Sequence, residues 1–120
     1  MSNILISGHD NEDIRFDYTI LSEYDGVPLD LTHYDLESDI VNVKTGASVL
    51  RLSTNGGDHR IIINSAIDGA ITLIIPQGSI PYDPKVSLAY DVIGKNKLNG
   101  LFTRLFGGPV KILNGLTNPL

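Results

Sequence analysis

The segment Ile14-Arg15-Phe16-Asp17-Tyr18-Thr19-Ile20 decides the fold class of this chain. Its apolar side chains stand at every second position, and charged or hydroxyl side chains stand between them. Successive side chains of a strand point to opposite faces, so this two-residue period predicts a strand with one buried face. The same period recurs along most of the sequence.

Outward from this segment, turn signals separate further short apolar runs. Asp25-Gly26 and Asn55-Gly56-Gly57-Asp58 predict turns, and three prolines within residues 76–84 predict a rigid surface crossing. No segment predicts a helix longer than one turn. Seven or eight strands spaced about ten residues apart indicate an all-β sandwich or barrel. The predicted strands span residues 13–22, 34–43, 48–52, 60–64, 70–75, 85–93 and 101–113, the last broken at Gly107-Gly108-Pro109, and residues 27–31 form a short extended piece.

Composition limits the function classes. The chain has 120 residues, of which 42% are hydrophobic, and no cysteine, so neither a disulfide framework nor a thiolate metal site is expected. The net charge of −5 argues against a nucleic-acid partner. There is no apolar run of about 18 residues and no secretory signal pattern. We therefore expect one soluble domain, made in a cytoplasm, with no membrane partner.

The residues that could bind a metal do not converge in sequence. His9, His33 and His59 are at least 24 residues apart, whereas zinc sites need a short-spaced pair. The oxygen-rich run Asp10-Asn11-Glu12-Asp13 could lend ligands to calcium, but it lacks the spacing and the glycine of a calcium loop. We expect solvated loops at these positions and no metal site.

Two further motifs have structural explanations. Asp30 lies near His33, but no serine or cysteine nucleophile accompanies it, so we expect its carboxylate to cap the turn at Thr32. The run Gly107-Gly108-Pro109-Val110-Lys111 lacks the Gly-Lys-Ser/Thr of a phosphate loop, and it predicts a bulge where the last strand bends or switches sheets. We expect no catalytic residue and no cofactor, so the chain is predicted not to be an enzyme.

Some apolar residues have no obvious place in a core. Within residues 61–63 and 71–75, apolar residues occupy both odd and even positions, so one of the two sets must face outward. The pairs Leu101/Leu105 and Phe102/Phe106 pose the same choice. Outward apolar residues suggest a subunit interface, although long loops could instead cover them. The candidate interface residues are Ile62, Ile74, Phe102 and Phe106.

Charge is divided unevenly along the chain. Residues 1–60 contain 11 acidic and 4 basic residues (−7), and residues 61–120 contain 3 acidic and 5 basic residues (+2). Acidic residues could simply keep loops soluble. Alternatively, Lys85, Lys95 and Lys97 could lie at the end opposite to the acids at residues 10–13. Neighbouring copies would then meet head to tail.

The order of motifs resembles a known family. The run Asp25-Gly26-Val27-Pro28-Leu29-Asp30-Leu31-Thr32-His33-Tyr34 is followed by Ile71-Thr72-Leu73-Ile74-Ile75-Pro76 and by Leu88-Ala89-Tyr90-Asp91-Val92. These motifs resemble small tailed-phage and prophage virion proteins with an immunoglobulin-like β-sandwich. They are also similar to the N-terminal domain of upper baseplate proteins of lactococcal phages. The family typically has glycine where this chain has His33.

The resemblance implies an immunoglobulin-like antiparallel β-sandwich of about seven strands, spanning residues 12–113 of one domain (1–120). It implies a non-enzymatic structural component of a virion (tail, baseplate, neck or head surface) that contacts other virion proteins and forms homo-oligomers. A ligand-binding sandwich, such as a carbohydrate-binding host-recognition module, is the alternative. The predicted core consists of Ile14, Phe16, Tyr18, Ile20, Leu29, Leu31, Tyr34, Leu36, Ile40, Leu52, Ile61, Ile63, Ile71, Leu73, Ile75, Val86, Leu88, Tyr90, Val92, Val110 and Ile112.

Overall fold

The structure, a computed structural model, describes residues 3–22, 24–55 and 60–116. The predicted turn at Gly56-Gly57-Asp58, His59 and the last four residues of the predicted loose tail lie outside the described residues. The described residues form strands and no helix. The strands are β1 (Ile6–His9), β2 (Ile14–Thr19), β3 (Tyr34–Asn42), β4 (Ser48–Ser53), β5 (Ile61–Ser65), β6 (Ala70–Ile75), β7 (Leu88–Asn96) and β8 (Phe102–Leu113).

The strands form two sheets that pack face to face. A five-stranded sheet has the order β1-β8-β7-β3-β4, and a three-stranded sheet has the order β2-β6-β5. The predicted β-sandwich is therefore confirmed, and the two sheets divide the strands as immunoglobulin-like domains do. All neighbouring strands are antiparallel except β1, which runs parallel to β8 with Ile6 beside Val110.

The core lies between the inner faces of the two sheets, as the alternation predicts. Leu36, Ile40 and Val92 of the larger sheet are almost fully buried, as are Ile71 and Leu73 of the smaller one. Of the predicted core residues, Val86 is only half-buried and is outside the core cluster. Three buried core residues were not predicted: Ile6, Ile80 and Phe106.

A β-bulge in β8 explains why Phe106 is buried. Val92 is paired with Phe106, but the next residue, Ile93, is paired with Arg104, so Leu105 is an extra residue in β8. An extra residue places the side chains after it on the opposite face from the one that strict alternation with the residues before it would give. Phe102 therefore points outward, whereas Phe106 is 1% exposed and packs in the core. The prediction that Phe106 belongs to a surface was wrong.

The glycine pair near the middle of β8 forms neither the predicted bulge nor a switch between sheets, because its register with β7 is regular. β8 continues through Gly107 and Gly108, which pair with Asp91 and Tyr90 of β7. The N–H of Ile4 donates to the carbonyl of Gly107 (2.9 Å), and a Cβ at Gly108 would collide with the Ile4 backbone. The two glycines thus allow the segment before β1 to lie against β8.

The two sheets differ in length, which leaves an overhang at each end. β3, β7 and β8 have 9, 9 and 12 residues, whereas β2, β5 and β6 have 6, 5 and 6. At about 3.3 Å per residue, the larger sheet extends beyond the smaller one. We name the end formed by connections 20–33, 66–69 and 97–101 the loop end. The opposite end, formed by connections 10–13, 43–47 and 76–87, is the cavity end.

Candidate interaction surfaces

Ile62 and Ile74 lie on the outer face of the three-stranded sheet, as predicted. Ile62 is 40% exposed and is paired with Thr72, next to the half-buried Ile74. The fully buried Thr72 donates a hydrogen bond to Asp17 Oδ1 (2.5 Å) and accepts one from Asn64 Nδ2 (2.8 Å). The two isoleucines therefore flank a polar row on this face. Whether they form an interface stays a prediction.

The loop end is held together by backbone hydrogen bonds between its connections. Residues 20–33 bond to the 66–69 turn and to the 97–101 turn, so the three segments form one surface. The bonds run from Ile20 N–H to the Gly69 carbonyl (2.9 Å), from Leu31 N–H to the Ala66 carbonyl (2.7 Å) and from Lys97 N–H to the His33 carbonyl (2.8 Å).

Gly69 makes this close contact possible. Its φ is +66°, which favours glycine, and a Cβ there would lie 2.6 Å from the Ile20 carbonyl oxygen and 2.8 Å from that of Leu29. Only a residue without a side chain fits between the two backbone segments. The base of the loop end is therefore fixed in one arrangement.

Exposed apolar side chains are concentrated at the loop end. Seven of the thirteen large apolar residues that are exposed in the described part of the chain lie there. Exposed apolar residues are ordinary when scattered, but their concentration on one surface is typical of a contact site. Phe102 alone among them was predicted as an interface residue. The seven are Leu21, Tyr24, Val27, Ile67, Leu98, Leu101 and Phe102.

A small hairpin, described at residues 21, 22 and 24–28 and named the 21–28 hairpin, projects from the loop end. Leu21 and Pro28 form a β-bridge, and Ser22 N–H donates to the Val27 carbonyl (2.8 Å). Gly26 has a φ of +70°, which confirms the turn predicted at Asp25-Gly26. Tyr24, at the tip, is 98% exposed. The hairpin thus presents an aromatic side chain on a hydrogen-bonded base.

The cavity end contains a cleft of about 630 Å³. It forms where the overhanging inner face of the five-stranded sheet meets the 76–87 connection, which buries only Ile80 as a large apolar side chain. Its walls are mainly apolar, with a few polar groups, which is typical of binding clefts. The lining residues used below are Asn42, Val49, Ile80, Asp83, Ser87, Leu88, Lys111 and Ile112.

The outer face of the five-stranded sheet is charged. Arg51 lies 2.7 Å from Glu37 and 3.3 Å from Asp39, and Arg104 lies 4.0 Å from Asp91. Asp39 and Asp91 are paired across β3 and β7, so these arginines offset the repulsion between them. Exposed ion pairs of this kind contribute about 0–1 kcal/mol each. We interpret this face as a solvated surface.

The predicted separation of charge between the ends is only partly present. Lys95 and Lys97 belong to the β7–β8 hairpin at the loop end, and the acids at residues 10–13 belong to the cavity end. Lys85, however, lies in the 76–87 connection, at the same end as those acids. Asp25 and Asp30 place negative charge at the loop end. The alternative of clusters at opposite ends therefore holds for Lys95 and Lys97 and not for Lys85, because each end combines segments from both halves of the chain.

Two exposed carboxylates have lowered pKa values. The hydroxyl and then the N–H of Thr32 donate to Asp30, which lowers its pKa and confirms the predicted cap. The N–H of His9 donates to Glu12 Oε1 (3.0 Å) and is the main cause of the lowered pKa of Glu12. Both carboxylates stabilise turns, and neither is placed to activate a nucleophile.

Tyr90 is the one strongly shifted group in the described residues. Burial raises the pKa of its hydroxyl, which donates to the Ile4 carbonyl (2.8 Å). Its ring packs edge-on against Phe106. The hydroxyl therefore holds the N-terminal segment against the sandwich.

No cluster of three metal-binding side chains occurs within residues 3–22, 24–55 and 60–116. Within the same residues, no helix long and apolar enough to cross a membrane is present. No protein-family model matches the sequence, and no curated protein matches it.

Proposed function

We propose that this chain is a non-enzymatic structural component of a bacteriophage virion, made in the host cytoplasm and assembled into the particle through protein–protein contacts. The immunoglobulin-like sandwich is the fold that the motif resemblance implies. The partners would be other virion proteins and further copies of this chain.

The concentration of exposed apolar residues at the loop end is the main support for this proposal. Leu98 is 74% exposed, Leu101 64% and Phe102 61%, in a single hairpin turn. Covering such side chains removes apolar surface from water at about 25 cal/mol per Å². A hydrogen-bonded base beneath them keeps the ordering cost of binding low. Both properties suit a permanent assembly contact.

Carbohydrate binding is the second candidate. Sugar rings stack on exposed aromatic faces, and the loop end carries Tyr24 and Phe102, both well exposed. Lys95 Nζ lies 5.7 Å from the centroid of the Phe102 ring, so a sugar would compete with this cation–π contact. Tyr24 is therefore the better platform for a sugar.

Mass spectrometry of purified virions tests the proposal. We expect peptides of this chain in a fixed ratio to the major capsid protein. A particle that lacks the chain would contradict the proposed function. Glycan-array binding by the purified chain, lost in Tyr24→Ser, would favour the carbohydrate alternative.

Mutagenesis locates the contact on the chain. Changing Leu98 and Leu101 to serine should reduce incorporation into particles at least tenfold, because an assembly contact loses its apolar area. Val43→Ser is the matched control, since Val43 is 58% exposed at the cavity end, outside the cleft lining. Equal incorporation of both variants would place the contact elsewhere.

A further inference from the structure

We propose that the 21–28 hairpin of one copy inserts Tyr24 into the cleft at the cavity end of a second copy. The inference rests on the proposed function, because it names one of the assembly contacts. It joins two features at opposite ends of the sandwich: an exposed aromatic side chain at the hairpin tip and a mainly apolar cleft.

The two surfaces match in polarity. Tyr24 stands at the hairpin tip with Leu21 and Val27, each 52% exposed, at its base. The cleft offers apolar walls from Leu88 and Ile112 and has a volume of about 630 Å³, which exceeds that of one aromatic side chain. Insertion would cover apolar surface on both copies at once.

The cleft also offers partners for the tyrosine hydroxyl. A buried tyrosine usually hydrogen-bonds through its hydroxyl. Asn42 and Ser87 line the cleft, and Asn42 Oδ1 already accepts the N–H of Lys44 (3.0 Å). The amide nitrogen of Asn42 remains able to donate to an incoming oxygen.

Charge supports the same pairing. Lys111 lines the cleft, and Lys85 lies beside it in the chain between two lining residues. Neither lysine forms an ion pair with a residue in the described part of the chain. Asp83 is the acid of the lining, and its Oδ1 accepts the N–H of Lys85 (2.9 Å). The hairpin contributes Asp25 beside Tyr24, so an acid would approach the lysines.

The symmetry of the contact follows from the positions of the two surfaces. The hairpin and the cleft lie at opposite ends, so each copy uses a different surface for each neighbour. Such heterologous contacts produce rings when the rotation closes and filaments when it does not. The association is therefore not limited to a dimer.

Two variants with one blocked surface each test this geometry. Tyr24→Arg blocks the hairpin, and Val49→Arg places a charge of the same sign in the cleft through a residue that is 38% exposed, so the two blocked surfaces repel each other. In sedimentation velocity, the unmodified chain should form concentration-dependent oligomers and each variant alone should stay monomeric. An equimolar mixture should form 1:1 dimers and nothing larger, because each variant retains one working surface. A mixture that stays monomeric, or an unmodified chain that does so, would overturn the inference.

Matched controls and a charge exchange complete the test. Leu5→Asp and Val43→Arg change exposed apolar residues outside the hairpin, the cleft and the proposed loop-end contact, so both variants should associate as the unmodified chain does. Asp25→Lys and Lys111→Glu should each weaken association about tenfold, and mixing the two should recover it. Failure to recover would contradict the orientation. A chain that is incorporated into virions but stays monomeric would refute the insertion and leave the proposed function standing.

Discussion

The two ends of the sandwich cover the same kind of overhang in different ways. At the loop end, residues 20–33 fold back and bury Leu31, which is 1% exposed, with the half-buried Leu29 beside it. At the cavity end, the 76–87 connection is rich in proline and buries Ile80, and a cleft remains. The 20–33 connection fills its gap with spaced leucines, whereas the proline-restricted 76–87 connection crosses over its gap.

The comparison shows that closing the core and covering the surface are separate problems. The loop end fills its interior but leaves apolar residues outside. The cavity end has fewer exposed apolar residues but leaves its interior incomplete. Interiors normally reach crystal-like packing density, so the side chains that line the cleft make fewer contacts than those of the filled core. The predictions below test whether the loop end is the better packed of the two.

The largest expected effect is at the base of the loop end. Gly69→Ala should destabilise the fold by about 3 kcal/mol or more, because backbone strain adds to a collision with two carbonyl oxygens. Gly26→Ala is the matched control, since its φ is +70° but nothing lies within 4 Å of the added Cβ. Gly26→Ala should lower the free energy of unfolding by about 1–2 kcal/mol. Urea unfolding of both variants measures the difference, and equal losses would mean that the base of the loop end can relax.

The second prediction compares the stability lost when the buried side chain beneath the overhang is truncated at each end of the sandwich. Leu31→Ala should lower the free energy of unfolding by about 4 kcal/mol and Ile80→Ala by about 2 kcal/mol. Ile80 lies beside the cleft, so its truncation removes fewer contacts. The midpoints of urea unfolding, at unchanged m-values, provide the measurement. A larger loss at Ile80 would show that the cavity end is the better packed one.

The alternation of apolar and polar residues predicted which face of each strand is buried, because that pattern is contained in the sequence of the strand itself. The outward positions of Ile62 and Ile74 and most of the core followed from it. Phe106 did not, because the bulge at Leu105 depends on the pairing with β7. β1 was also missed, since its inward positions are Ile6 and Gly8, and one apolar side chain gives no period.

The candidate surfaces were harder to predict than the fold. The loop end joins connections that are far apart in sequence, so no local window contains it. The available signals were Tyr24, next to the predicted turn at Asp25-Gly26, and Leu98, in the segment between two predicted strands. The cleft results from unequal strand lengths and from the path of the 76–87 connection, which no periodicity encodes.

A smaller effect is expected away from both ends. Ile62→Asp on the outer face of β5 should lower the free energy of unfolding by less than about 1 kcal/mol, because the side chain is exposed beside a row of polar residues. The circular dichroism spectrum of the sheet should be retained. Ile61→Asp is the contrasting variant, since Ile61 is 2% exposed and its replacement would bury a charge. Loss of the folded signal in Ile62→Asp would place Ile62 in the core.

The smallest effect distinguishes the turn carboxylates of the two ends. The hydroxyl of Thr32 is the main cause of the lowered pKa of Asp30, whereas the backbone N–H of His9 is the main cause at Glu12. Thr32→Val should therefore raise the pKa of Asp30 more than His9→Ala raises that of Glu12, as measured by NMR titration of the carboxyl carbons. Because folding lowers both pKa values, each contribution to stability is present above the ordinary pKa of the group and is lost as pH falls through the folded value. Equal shifts in the two variants would mean that the side chain of His9, and not its backbone, holds the Glu12 carboxylate.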